Sequence, residues 1–79
     1  MSNLANYKKA FVEALSIKPN FDFDNLKYQS VDEWDSIGHM TLISNLEEKF
    51  KITFETDDIV DFSSFKKGIK ILQKYKVKI

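Results

Sequence analysis

The chain has 79 residues, and its 12 basic and 12 acidic residues cancel to a formal net charge of zero. That length allows one domain with a thin core, because chains of this size bury only about 60% of the surface they expose when unfolded, and it excludes a large enzyme with a deep pocket. The 43% hydrophobic content disfavours disorder, the absence of Cys excludes a disulfide framework, a thiolate zinc site and an intrinsic thiol nucleophile, and zero net charge argues against a generic nucleic-acid binder.

Helical periodicity runs through the chain. Leu4, Tyr7, Phe11 and Leu15 recur at three- and four-residue steps, with Ser2 or Asn3 as a cap, and predict a first helix over residues 3–16. Pro19 and Asn20 end it or follow its end. Residues 17–35 read as a long loop carrying Phe21, Phe23, Leu26, Tyr28, Val31 and Trp34. A loop this long in a small domain is either functional or packed down by its own side chains, and the aromatics favour the second.

A second helix is expected over residues 36–50, with Ile37, Met40, Ile43, Leu46 and Phe50 on its buried face, Leu42 beside them and Asp35 as N-cap. KITFE (51–55) is a short extended connector. Thr56 caps a brief third helix through Asp57, Asp58, Ile59 and Val60. Ser63 or Ser64 caps a fourth, to about Tyr75, with Phe65, Ile69, Leu72 and Tyr75 inward. Gly68 weakens that helix by roughly 1 kcal/mol relative to Ala and allows close packing. Phe11, Phe50, Phe54, Phe62 and Phe65 read as core. The predicted fold is an all-α four-helix bundle, with three main helices, one short helix and a long loop between the first and second.

The zero charge divides unevenly. Residues 1–29 carry net +1. Residues 30–62 hold nine acids against Lys49 and Lys51, a net of −7. Residues 63–79 hold six lysines (Lys66, Lys67, Lys70, Lys74, Lys76 and Lys78) and no acid, a net of +6. Such asymmetry concerns partners rather than fold. The basic last helix, with its alternating apolar residues, reads most simply as a helix with a solvated face. Residues 1–11 lack the apolar run of a secretory signal, and no stretch approaches the roughly 18 apolar residues of a membrane span. A cytoplasmic, monomeric protein with no transmembrane segment and no nucleic-acid partner is expected.

The most informative stretch is Asp35-Ser36-Ile37-Gly38-His39-Met40. It places a Ser in the first turn of a helix, where free amides and the helix dipole favour an anion such as a phosphate esterified to Ser36. Taken alone, Asp-Ser is just a capping pair. His39 lies three residues after Ser36, as a base would, but no orienting acid and no G-x-S-x-G elbow accompany it, so hydrolase chemistry is disfavoured. A lone His is a poor metal site, and no metal is expected.

Asp35-Ser36-Ile37, then Leu42-Ile43, then Leu46-Glu47-Glu48-Lys49-Phe50, a connector, an acidic short helix and Ile69 together resemble the acyl carrier protein family, from about residue 4 to about residue 75. The resemblance implies a covalent 4′-phosphopantetheine, attached to Ser36 by a phosphopantetheinyl transferase using coenzyme A and magnesium. The arm ends in a thiol that holds an acyl or aminoacyl group as a thioester, which would import the thiol that a chain without Cys lacks. The carrier performs no chemistry itself. It presents cargo from a loading enzyme to a downstream transferase or synthase, at the high effective concentration that a tether creates.

By the same resemblance, Asp35 caps the second helix beside the modified Ser36, and Ile37 adjoins the arm. Gly38, His39, Met40, Glu47, Glu48, Asp57, Asp58 and Asp61 form the partner surface, the acids steering basic partners. Fatty-acid carriers typically place acids where Gly38 and Thr41 stand here, and they are strongly acidic overall. The Gly after the Asp-Ser-hydrophobic triplet is similar to D-alanyl carriers, and no Leu-Gly-Gly precedes Ser36 as in peptidyl carriers. A specialised pathway with short or polar cargo is therefore expected. The alternative is an unmodified helical interaction module with the same fold.

Overall fold

A computed structural model of the chain describes residues 3–79. Four α-helices, α1 (Asn3–Leu15), α2 (Ser36–Phe50), α3 (Thr56–Asp61) and α4 (Phe65–Lys74), form an all-α architecture with no strand among the described residues. None of these helices is long and apolar enough to cross a membrane.

α1 buries Tyr7, Ala10, Phe11 and Leu15 and leaves Leu4 exposed. Of the two expected caps, Ser2 lies outside the described residues, and Asn3 is already helical, its side-chain amide donating to the Lys78 carbonyl at 2.9 Å. α1 stops where Ser16 turns into the left-handed region (φ 55°), so Pro19 follows the end rather than causing it.

The long connection is packed into the core by Phe23, Leu26 and Trp34, all buried, with a short 3-10 turn at Phe23–Asn25. It is also sewn to the start of α4. Lys27 forms an isolated antiparallel bridge with Ser64, the Tyr28 N–H donates to the Ser63 carbonyl at 2.9 Å, and the Phe65 N–H donates to the Leu26 carbonyl at 3.0 Å. These bonds tie the loop to the chain entering α4, and the one between Leu26 and Phe65 pairs backbone groups of two buried residues.

α2 is rotated relative to its expected face. Gly38, Leu42, Ile43 and Leu46 are buried, whereas Ile37 is 78% and Met40 53% exposed, and Phe50 is only half-buried. The buried stripe follows the four-residue step 38–42–46, because only Gly38 lets the preceding loop lie against the helix. α3 starts one residue earlier than expected. Glu55 is its N-cap, without a side-chain cap bond, and Thr56 is already inside the helix. Ser64, not Ser63, caps α4, its Oγ accepting the Lys67 N–H at 3.0 Å. α4 turns Phe65, Gly68, Ile71 and Leu72 inward, with Ile69 and Tyr75 half-buried.

Phe11 sits at the centre of the core, its ring centroid 5.0 Å from Tyr7, 5.2 Å from Phe65 and 5.4 Å from Trp34, each in edge-to-face geometry. Such pairs add about 0.5–1.5 kcal/mol each beyond the area they bury. Phe54, Phe62 and Phe65 are buried as expected. The Tyr7 hydroxyl donates to the Phe65 carbonyl at 2.6 Å, and burial pushes its pKa far above the ordinary tyrosine value. Gly68 permits this approach of α1 to α4, since a Cβ there would lie 2.2 Å from the Tyr7 oxygen and 2.3 Å from Phe62 Cζ.

Candidate functional site

The start of α2 is built by Asp35. In an extended conformation (φ −102°, ψ −167°), its Oδ1 accepts the Gly38 N–H at 2.8 Å and its carbonyl accepts the His39 N–H at 2.8 Å. Because Asp35 caps the helix, as expected, the Ser36 hydroxyl is not needed for capping. Ser36 is exposed, and its Oγ lies 3.4 Å from the Tyr28 hydroxyl. The N–H groups of Ser36 and Ile37 form no hydrogen bond within the described residues. The positive end of the helix dipole therefore lies beside an exposed hydroxyl whose contact among the described residues is the long one to Tyr28.

Of the residues assigned to the partner surface by resemblance, Gly38 and Asp58 are buried and His39 is half-buried. Gly38 is buried, and a Cβ there would come within 2.0 Å of the Glu33 carbonyl oxygen, so the position is held by backbone packing. His39 is half-buried and points inward. Its Nδ1 accepts the Trp34 indole N–H at 3.0 Å, which places the ring proton on Nε2, 2.8 Å from the Ile59 carbonyl it donates to. Both nitrogens are engaged, so the ring is not available as a base toward Ser36. It is a pin between the loop, α2 and α3. Asp58 is buried, at 4% exposure. Its carboxylate accepts Lys74 Nζ at 2.7 Å and the Tyr75 hydroxyl at 2.5 Å. Lys74 first and Tyr75 second hold its carboxyl below the usual range, and the same contacts raise the pKa of both partners.

Glu47 is half-buried and partly committed as well, its Oε2 accepting the Phe54 N–H at 2.8 Å and tying the connector to α2. Glu48, Asp57 and Asp61 are exposed, as are the apolar Ile37, Met40 and Val60, the last at 74%.

A groove of about 260 Å³ opens between the loop and α3, lined by Tyr28, His39, Ile59, Val60, Phe62 and Ser63. Tyr28 is the residue that reasoning from the sequence missed. Helical periodicity carries no information about a loop side chain, and only its place in an aromatic-rich loop marked it. The Trp34–His39 bond was likewise invisible, although the five-residue spacing across a helix start is compatible with it. No group of three or more His, Asp or Glu that could hold a metal ion occurs among the described residues. Compared with known proteins, the chain matches no family model, no curated protein and no solved structure.

Proposed function

We propose that the chain is a carrier protein of the acyl-carrier type, modified with 4′-phosphopantetheine on Ser36 and presenting a thioester-bound acyl or aminoacyl group to partner enzymes. The observation that carries this reading is the division of labour at the start of α2. Asp35 takes the capping bond, and the Ser36 hydroxyl is left exposed, in the field of a helix N-terminus, with only the long contact to the Tyr28 hydroxyl. Four helices in the order long, long, short, long, with the extended connection before α2, accord with an acyl-carrier-like arrangement.

Ser36 fits the group chemically. In the modification, the Oγ–P bond forms as the pyrophosphate P–O bond of coenzyme A breaks, the nucleotide leaves, and the serine proton passes to the transferase or to water. The arm supplies the thiol on which cargo is carried, and this chain supplies the attachment oxygen and a surface. Exposed Ile37 and Met40 beside Ser36 offer apolar contact to a transferase, a loading enzyme or an acceptor enzyme. Glu48, Asp57 and Asp61 supply the negative charge that speeds encounter with basic partners at low salt. The closely packed aromatic core favours short cargo over a long acyl chain.

Incubation with coenzyme A, magnesium and a broad-specificity phosphopantetheinyl transferase, followed by intact-protein mass, tests the reading. The expected result is a single arm-sized gain together with one thiol titratable by a disulfide reagent, in a chain that has no Cys. No gain under conditions that fully modify a control carrier overturns it, and leaves the unmodified interaction module.

A further inference from the structure

We propose that Tyr28 is a positioning residue for the modified serine. Its hydroxyl donates to the phosphodiester on Ser36, and the groove beside it takes the apolar carbons nearest that phosphate. The inference rests on the reading of Ser36 as the attachment point and goes beyond it by giving the arm a defined seat on the protein.

Three observations carry it. First, the Tyr28 hydroxyl stands 3.4 Å from Ser36 Oγ, long for an O–H···O bond, whose usual separation is about 2.7–2.8 Å. The two hydroxyls are neighbours rather than a tight pair, so the phenol can turn its proton to a better acceptor. A phosphodiester oxygen attached at Oγ is charged and makes the stronger, shorter bond.

Second, Tyr28 is fixed although it is a loop residue on the surface. Its N–H is bonded to the Ser63 carbonyl at 2.9 Å, and its ring stands edge-on to Trp34 (6.3 Å, 89°) and to His39 (5.6 Å, 71°). A donor held in place loses little freedom when it binds.

Third, the groove begins at Tyr28 and its walls are apolar in effect. His39 lines it, but both ring nitrogens are engaged by Trp34 and Ile59, so the ring offers a face and not a free donor. The same Ile59 carbonyl bond holds α3, and with it Ile59 and Val60, as the opposite wall. Phe62, 1% exposed, lines it as well. At about 260 Å³ the groove lies below the roughly 300–1,000 Å³ of whole-ligand pockets, which suits a short segment of a tethered chain. Val60, largely exposed, would gain cover when the seat is filled. The ligand class is thus a branched or linear apolar carbon segment joined to the protein through a phosphodiester.

NMR of the full chain before and after enzymatic modification tests this, with the mass gain recorded first. The expected result in the modified protein is a set of NOEs from the arm's phosphate-proximal methyl protons to the Tyr28 ring and the Val60 methyls. The methyl shifts of Ile59 and Val60 should also move relative to the unmodified protein. Tyr28→Phe keeps the ring and, once modified, should shift the 31P resonance and weaken those NOEs at least twofold. Val60→Gln, at the exposed rim, should weaken the contacts to Ile59 and Tyr28 without changing the fold. A modified wild-type protein whose groove shifts match the unmodified one, with no NOE to the arm, overturns the seat while leaving Ser36 as the attachment point. Absence of any mass gain overturns both.

Discussion

Two serines stand at the starts of α2 and α4, and they are used in opposite ways. Ser64 is the N-cap of α4, its Oγ spent on the Lys67 amide at 3.0 Å and its residue bridged to Lys27. Ser36 sits one position further in, behind an aspartate that performs the capping, so its hydroxyl faces solvent beside Tyr28. A cap one residue earlier therefore separates an oxygen that holds a helix together from one that is exposed and spared that task. The start of α3 is a third case. Glu55 supplies no side-chain cap, and α3 is held instead by Asp58 on Lys74 and Tyr75, and by Ile59 on His39.

Substitution at the two serines should break this contrast most sharply. Ser36→Ala should abolish modification while changing stability by less than about 0.5 kcal/mol, as expected of an exposed side chain with no cap to lose. Ser64→Ala should leave modification intact. Mass spectrometry and urea denaturation of both variants, run side by side, read the two effects. Equal loss of stability in both would show that Ser36 is also structural.

Gly38→Ala comes next. A methyl group placed 2.0 Å from the Glu33 carbonyl must displace the loop, at a cost of about 1–3 kcal/mol. The change should also perturb the Trp34–His39 bond that this loop positions, visible as a shifted indole N–H resonance. A neutral effect on the urea midpoint would mean that the loop is not held against α2.

Capping should then cost similar amounts at both starts. Asp35→Ala and Ser64→Ala should each lose about 1 kcal/mol, with Asn restoring most of it at position 35. A loss at one helix only would break the symmetry between them.

The smallest expected effect separates α3 from the other two starts. The Asp58 carboxyl is held below its ordinary value in the folded chain, so its contribution is fully present above the unfolded carboxylate pKa, about 3.9, and is lost as pH falls through the folded value. Lys74 and Tyr75, both raised, contribute below their ordinary values and lose that contribution as pH rises through the folded ones. Asp58→Asn should flatten the acid limb of a stability–pH curve. An unchanged slope below pH 5 would place the acid transition elsewhere.

Much of this arrangement was legible in the sequence because it rests on local chemistry. Apolar spacing marked α1, α2 and α4, an acid before a serine marked the α2 cap, and Gly68 marked a close approach. What escaped was set by contacts distant along the chain. The facing of α2 depends on a loop carbonyl at Gly38, so Ile37 and Met40 lie outside the core that helical spacing alone predicts for them. The fates of Asp58 and His39 depend on α4 and α3. Charge on a short helix says nothing about which acid is bonded inward, and a lone histidine does not announce an indole partner. Tyr28 meets Ser36 only because the loop is anchored to Ser63.

The central claim is that one oxygen among the seven serines of the chain is built for attachment. Peptide fragmentation of the enzymatically modified protein tests it most directly. A phosphopantetheine found on Ser36 alone, with Ser63, Ser64 and the other serines unmodified, is the predicted result. Modification at any other serine, or undiminished modification of Ser36→Ala, would contradict it.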